Sequence, residues 1–280
     1  MEAPRADPLL GFYGPDSMMW RINREAVLLG AGPAALLLQI AHPSVARGVA
    51  EHSTFEADPF RRLHGTIRTT MALVFGDGRA AERAVRRLNG IHARVRGEDY
   101  RALDPLLLLW VQATLIVTSV GAYERWVAPL SAAEKEQFWQ EARAVGVRIG
   151  IPLSQSPADW PALLRYWDEM LAPDGPIQVT GTARRLAPAI IRPPFALVPV
   201  PLVDLLALPG KALLPPRLRR EFGIGWGPGH ERMARLLGLA IRGWVKIVPA
   251  RLRSMPQARA AFRRAARQPP LQSRNPIEEL

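Results

Sequence analysis

The chain contains no cysteine, and that one absence removes a large part of metallochemistry. Disulfides, thiolate-ligated haem, iron–sulfur clusters and cysteine-based zinc sites are all excluded. Histidine is scarce too, with five in 280 residues. His230-Glu231-Arg232-Met233-Ala234 starts like a zincin motif but ends on alanine where a second ligand is needed. No histidine lies three residues after a glutamate, so the di-iron signature of ferritin-like bundles is missing. There is no P-loop, and no strained nucleophile turn announces a Ser-His-Asp triad. Strand-like alternation of useful length, internal repeats and low-complexity tracts are also lacking.

What is present reads as an ordinary globular composition, 48% hydrophobic and 22% charged. A chain of this length can bury a sizeable core as one domain or as two tightly packed ones. The net charge of +12 is unevenly placed. Residues 211–280 hold 15 Lys and Arg against four acids, whereas residues 1–210 are nearly balanced at 22 against 21. A basic C-terminal quarter seeks anions, either lipid headgroups or nucleic acid, or serves solubility alone. It lacks an evident nucleic-acid recognition fold or stacking aromatics, which makes nucleic acid the weaker partner.

Helical signals run through nearly the whole chain. Ser131-Ala132-Ala133-Glu134 forms a capping box that opens a helix towards Ile149. Ser156-Pro157-Ala158-Asp159 opens another that ends near Leu171. Residues 105–122 would make an apolar helix about 27 Å long, near the lower limit for a membrane span. Gln112, Thr114, Thr118 and Ser119 lie within it, so it is read as a central buried helix. Prolines crowd residues 177–216, where short helices joined by extended segments are expected. Residues 232–248 are amphipathic, with Arg235, Arg242 and Lys246 on one face and Pro249 as a stop. The expected fold is all-α: a single globular helical bundle over residues 10–265 with a Pro-rich helical C-terminal part, then a disordered tail over 268–280. No signal peptide is evident, and a cytoplasmic protein, with peripheral membrane contact as an option, is expected.

Two patterns bear on chemistry. Val27-Leu28-Leu29-Gly30-Ala31-Gly32-Pro33-Ala34-Ala35 matches a dinucleotide fingerprint, with Glu51 about 20 residues on. The charged stretch before it makes a poor central strand and no βαβ rhythm follows, so a helix break at Gly32-Pro33 is the better reading. The second pattern is Arg62 and Thr66, four residues apart on one helix, with His92 on the next. Val85, Leu88, His92 and Val95 recur at helical steps, placing His92 on the buried stripe of a helix over residues 79–96. Phe60, Leu63, Ile67, Met71 and Val74 define the core face of the helix before it. On residues alone, the trio fits either ordinary core polarity or a cofactor that brings its own donors and needs one protein ligand.

Ordered blocks then carry a family likeness. They are Phe12-Tyr13-Gly14-Pro15-Asp16-Ser17, Gln39-Ile40-Ala41-His42-Pro43, Asp58-Pro59-Phe60-Arg61-Arg62-Leu63, Ile91-His92, Tyr100-Arg101-Ala102-Leu103-Asp104-Pro105 and Val248-Pro249-Ala250-Arg251-Leu252-Arg253. With them the chain resembles the bacterial and fungal DUF2236 family, the catalytic domain of rubber oxygenase (latex clearing protein) and mpaB-type oxygenases. The resemblance implies a helical domain enclosing a pocket for haem b and using dioxygen. It maps the proximal haem ligand onto His92 and the distal pair onto Arg62 and Thr66. Arg94 and Arg96 become candidates for the haem propionates. The substrate implied is a small apolar molecule, isoprenoid or lipid-like. Rubber-cleaving members carry a lysine where this chain has Gly65, and Gln112 replaces a histidine common in many relatives, which points away from rubber. The contrasting expectation is a cofactor-free basic protein that binds anionic membranes through its C-terminal amphipathic region. Oligomeric state has no signature in the sequence.

Overall fold

One apolar helix organises the molecule. The structure, a computed structural model, describes residues 6–52, 59–192 and 200–267, with the backbone alone for 59–64 and 200. Fourteen α-helices lie among the described residues, and no strand. They are α1 (Met18–Asn23), α2 (Gly32–Ile40), α3 (Pro43–His52), α4 (Pro59–Phe75), α5 (Gly78–His92), α6 (Pro105–Trp126), α7 (Ala132–Gly146), α8 (Trp160–Leu171), α9 (Gly181–Ile191), α10 (Val200–Lys211), α11 (Pro216–Glu221), α12 (Pro228–Ile247), α13 (Ala250–Arg253) and α14 (Pro256–Ala265). The organising helix is α6. Asp104 caps it by accepting from Leu106 N–H (2.8 Å), and Pro105 presets its first turn.

Helix α6 is shared by two apolar cores. Leu108, Leu109, Ala113, Ile116, Tyr123 and Trp126 face the first, where Trp20, Phe75, Phe138, Trp139 and Leu163 meet. Trp110 faces the second, with Leu37 and Leu38 of α2, Leu186 of α9 and Leu218 of α11. Three buried indoles satisfy their single donors: Trp20 Nε1 reaches Val74 O (2.7 Å), Trp110 Nε1 reaches Leu38 O (3.2 Å) and Trp139 Nε1 reaches Pro157 O (3.1 Å). Although α6 is long and apolar enough to cross a bilayer, more than half of its apolar window is buried against these neighbours. That agrees with the sequence reading of a core helix.

Local signals set several boundaries as expected. The Ser131–Glu134 box closes in both directions, at 3.2 and 2.8 Å. The chain breaks at Gly32-Pro33, where a 3-10 turn (Ala26–Ala31) gives way to α2. With no strand among the described residues, the glycine pattern there is no dinucleotide loop. Glu51 instead accepts from Tyr100 Oη (2.5 Å).

Two expectations need correction. Helix α8 starts at Trp160 rather than at Ser156: Asp159 caps it by accepting from Ala162 N–H (2.7 Å), and Glu136 accepts from Trp160 N–H (2.7 Å). Helix α5 ends at His92, not Arg96, for reasons given below. Arg242 lies on one face with Arg235 and Lys246 as expected, and its Nη2 donates to Glu124 O (3.0 Å) at the end of α6. The expected disordered tail lies outside the described residues.

The C-terminal helices fold back to the start of the chain. Arg253 pairs with the buried Glu25, and Met255 N–H donates to Arg24 O (2.8 Å). From α14, Phe262 packs edge-on against Trp20 (5.0 Å), and Arg264 donates to Leu9 O (2.6 Å) and Phe75 O (2.7 Å). These contacts brace α4 at its C-terminal end.

Candidate functional site

Helices α4 and α5 form an antiparallel hairpin around the two residues Gly76 and Asp77. Asp77 caps α5 through Ala80 N–H (2.7 Å). Because the helices are nearly equal in length, the first turns of α4 run beside the last turn of α5. The topology therefore brings the Arg62–Thr66 segment to the His92 end of the hairpin. The side chain of Arg62 lies outside the described residues, while that of Thr66 is exposed. A Cβ built at Gly65 meets nothing within 4 Å, so packing does not explain that glycine.

His92 is the last residue of α5 and is half-buried. Its Nδ1 is buried and has no hydrogen-bond partner among the described residues. The other histidines with described side chains are better explained by local structure. His42 Nδ1 accepts from Ser44 N–H (3.2 Å), His52 Nε2 lies 3.0 Å from Arg96 O, and His230 Nδ1 accepts from Gly227 N–H (3.3 Å). An unpaired buried polar atom costs roughly 1–3 kcal/mol, so it marks a place where a partner belongs. Burial also pushes the His92 pKa below the ordinary imidazole value, leaving the ring neutral at pH 7. A neutral imidazole is the form that ligates a metal.

The helix stops at His92 because residues 93–102 fold back. Ala102 N–H donates to Val95 O (2.9 Å) and Gly97 N–H to Tyr100 O (3.0 Å). Gly97 is needed there, since a Cβ would lie 2.2 Å from the Tyr100 ring. Arg94 and Arg96 are thus loop residues with exposed side chains, close in sequence to His92 but not on its helix. Ile91, Leu103 and Leu106, all exposed, give this end of the molecule an apolar rim.

Sequence reasoning missed Asn89. It lies one turn before His92, its Nδ2 donates to Arg148 O (3.1 Å), and its Oδ1 is buried without a partner. The i, i+3 spacing to His92 was the available signal. Gln112 behaves similarly: Nε2 donates to Ala142 O (2.8 Å), while Oε1 is buried and unpartnered. A Cβ at Gly146 would sit 3.0 Å from Gln112 Nε2, so α6 and the end of α7 are in close contact there. No group of three or more His, Cys, Asp or Glu side chains fit to hold a metal occurs among the described residues. The chemistry on offer is therefore that of a single imidazole donor in an all-helical frame with an apolar rim.

Comparison with known proteins places that frame. The chain belongs to the family described as ER-bound oxygenase mpaB/B'/rubber oxygenase, catalytic domain, whose model matches residues 19–243. It is 28% identical to two uncharacterized proteins, Mb2261 of Mycobacterium bovis and Rv2237 of Mycobacterium tuberculosis. Each match runs over 233 residues and covers 78% of this chain and 89% of the relative. No solved structure matches significantly.

Proposed function

We propose that this protein is a haem-b-dependent oxygenase acting with dioxygen on a small apolar substrate, isoprenoid or lipid-like, in the cytoplasm. The observation that carries the reading is the buried, unpartnered Nδ1 of His92 on a neutral imidazole. Membership of an oxygenase family supports the reaction class. Haem fits this residue set because it brings four donors of its own and asks one of the protein.

Bound haem would supply the iron at which dioxygen is activated. His92 would hold the group through a ring nitrogen, kept neutral by burial. Arg62, whose charge survives desolvation, would stabilise negative charge developing on oxygen, and Thr66 would donate a hydrogen bond beside it. Arg94 and Arg96 would meet the propionates at the exposed edge. Ile91, Leu103 and Leu106 would gather an apolar substrate and exclude water. Gly65 offers no cation in addition to Arg62, which is why an apolar substrate other than rubber is proposed.

The test is dioxygen uptake by haemin-reconstituted protein with short isoprenoids and unsaturated lipids. Arg62→Ala is expected to lower turnover by about 100-fold, the usual effect of losing one preorganised donor. Turnover unchanged by Arg62→Ala would remove that residue from the site.

A further inference from the structure

Helix α12 carries two apolar stripes, and its fold uses only one. Ala234, Gly238 and Val245 are buried, with a Cβ at Gly238 facing the Trp126 ring at 3.6 Å. On the opposite side Met233, Leu236, Leu239, Trp244 and Ile247 are exposed. Leu236 is 60% exposed and Ile247 83%. At 100° per residue, Met233, Leu236, Ala240, Trp244 and Ile247 fall within one arc of about 80°. Arg232, Arg235 and Lys246, all exposed, fall along one edge of that arc. The stripe continues past Pro249, where Leu252 is 67% exposed beside Arg251. Helix α10, packed against α12, adds exposed Leu202 and Leu206.

A folded helix that leaves this much apolar surface uncovered marks an interaction site. Its charge identifies the partner. The flanking side chains are cationic, and the nearby acids are engaged: Glu231 by Trp226 Nε1 (2.9 Å), and Asp204 of α10 by Arg192 (2.8 Å) and Lys211 (3.3 Å). A second copy of this chain would set like charges against each other. An anionic bilayer instead offers hydrocarbon to the leucines and isoleucine, headgroup phosphates to Arg232, Arg235, Lys246 and Arg251, and the interfacial region to Trp244. We infer that α12, with the start of α13, is a peripheral docking face for an anionic lipid membrane, with its axis in the membrane plane. This rests on the surface pattern alone and stands apart from the oxygenase reading.

The full-length chain should float with vesicles of mixed phosphatidylglycerol and phosphatidylcholine and not with phosphatidylcholine alone. Leu236→Glu/Ile247→Glu, at exposed positions that leave the core untouched, should abolish flotation while circular dichroism and melting temperature stay unchanged. Arg235→Gln/Lys246→Gln should weaken binding by roughly tenfold or more, at about 1 kcal/mol per basic residue near the surface. Equal flotation of wild type and Leu236→Glu/Ile247→Glu would overturn the proposal. So would a concentration-dependent dimer, seen by light scattering, that the same substitutions dissolve without any wild-type lipid binding. Because the readout is lipid binding, its failure would leave haem binding by His92 untouched.

Discussion

The two ends of the α4–α5 hairpin are built on opposite principles. At the closed end every group has a use: Met71, Val74, Phe75, Ala81, Ala84 and Val85 are buried, and Asp77 caps the returning helix. The carbonyls of Val74 and Phe75 receive Trp20 and Arg264. At the open end the burial thins, Thr66 and Ile91 face solvent, and His92 keeps a buried nitrogen with no hydrogen-bond partner among the described residues. Stability is concentrated where the chain turns, and chemical potential where the two helices end. A rigid base that holds an under-satisfied tip is what a binding site requires.

That contrast can be broken from the closed end first. Trp20→Ala removes a fully buried indole and its hydrogen bond, and should destabilise by about 3–5 kcal/mol in denaturant melts. At the open end, His92→Ala should change the stability of the haem-free protein by less than about 1 kcal/mol, because relief of the unpartnered nitrogen and loss of the half-buried ring's packing oppose each other. A loss as large as that of Trp20→Ala would make His92 a core residue and nothing more.

Next in size is the effect of pH. His92 and His42 both have pKa values pushed down by burial, with Asp104 partly offsetting the shift at His42. The unfolded chain therefore binds more protons than the folded one once pH drops below the ordinary imidazole value of 6.5. The haem-free protein should be most stable above that pH, and its melting temperature should fall as pH is lowered towards the depressed folded values. His92→Ala should flatten part of this slope. An identical slope in wild type and variant would mean that His92 is not desolvated. Smaller still, Asp77→Ala should cost about 1 kcal/mol through the lost cap. Gly65→Ala should add roughly 0.5–1 kcal/mol, since the added methyl meets only space. Thermal melts would check both.

The sequence showed most clearly the features that depend on neighbours along the chain. Ser131 with Glu134 and the Gly32-Pro33 break each act within one turn, and each appears where expected. The all-helical class followed from the same short-range periodicity. The end of α5 was hidden because nothing at residues 93–96 stops a helix. The chain leaves it through the fold-back that packs Tyr100 against Gly97, a contact within the loop, and hydrogen-bonds Tyr100 to Glu51, a tertiary contact. Ser156 and Asp159 are both good cap residues, with a proline one and two residues on, and distant Glu136 favours the second by binding Trp160 N–H. The hydrogen bond from Arg242 to Glu124 was not legible, because Glu124 is 118 residues away in the chain. The half-buried position of His92 on α5 was legible from its helical spacing. That its Nδ1 would be buried and unpartnered was not, because an unfilled contact exists only once the helices have packed.

The central claim is that His92 is the residue that receives the haem iron, and a haemin titration followed by visible absorption tests it most directly. Wild type and His42→Ala should each develop a Soret band that saturates at one haem per chain, while folded His92→Ala should not. Haem binding by His92→Ala equal to wild type, or none by wild type, would contradict the account.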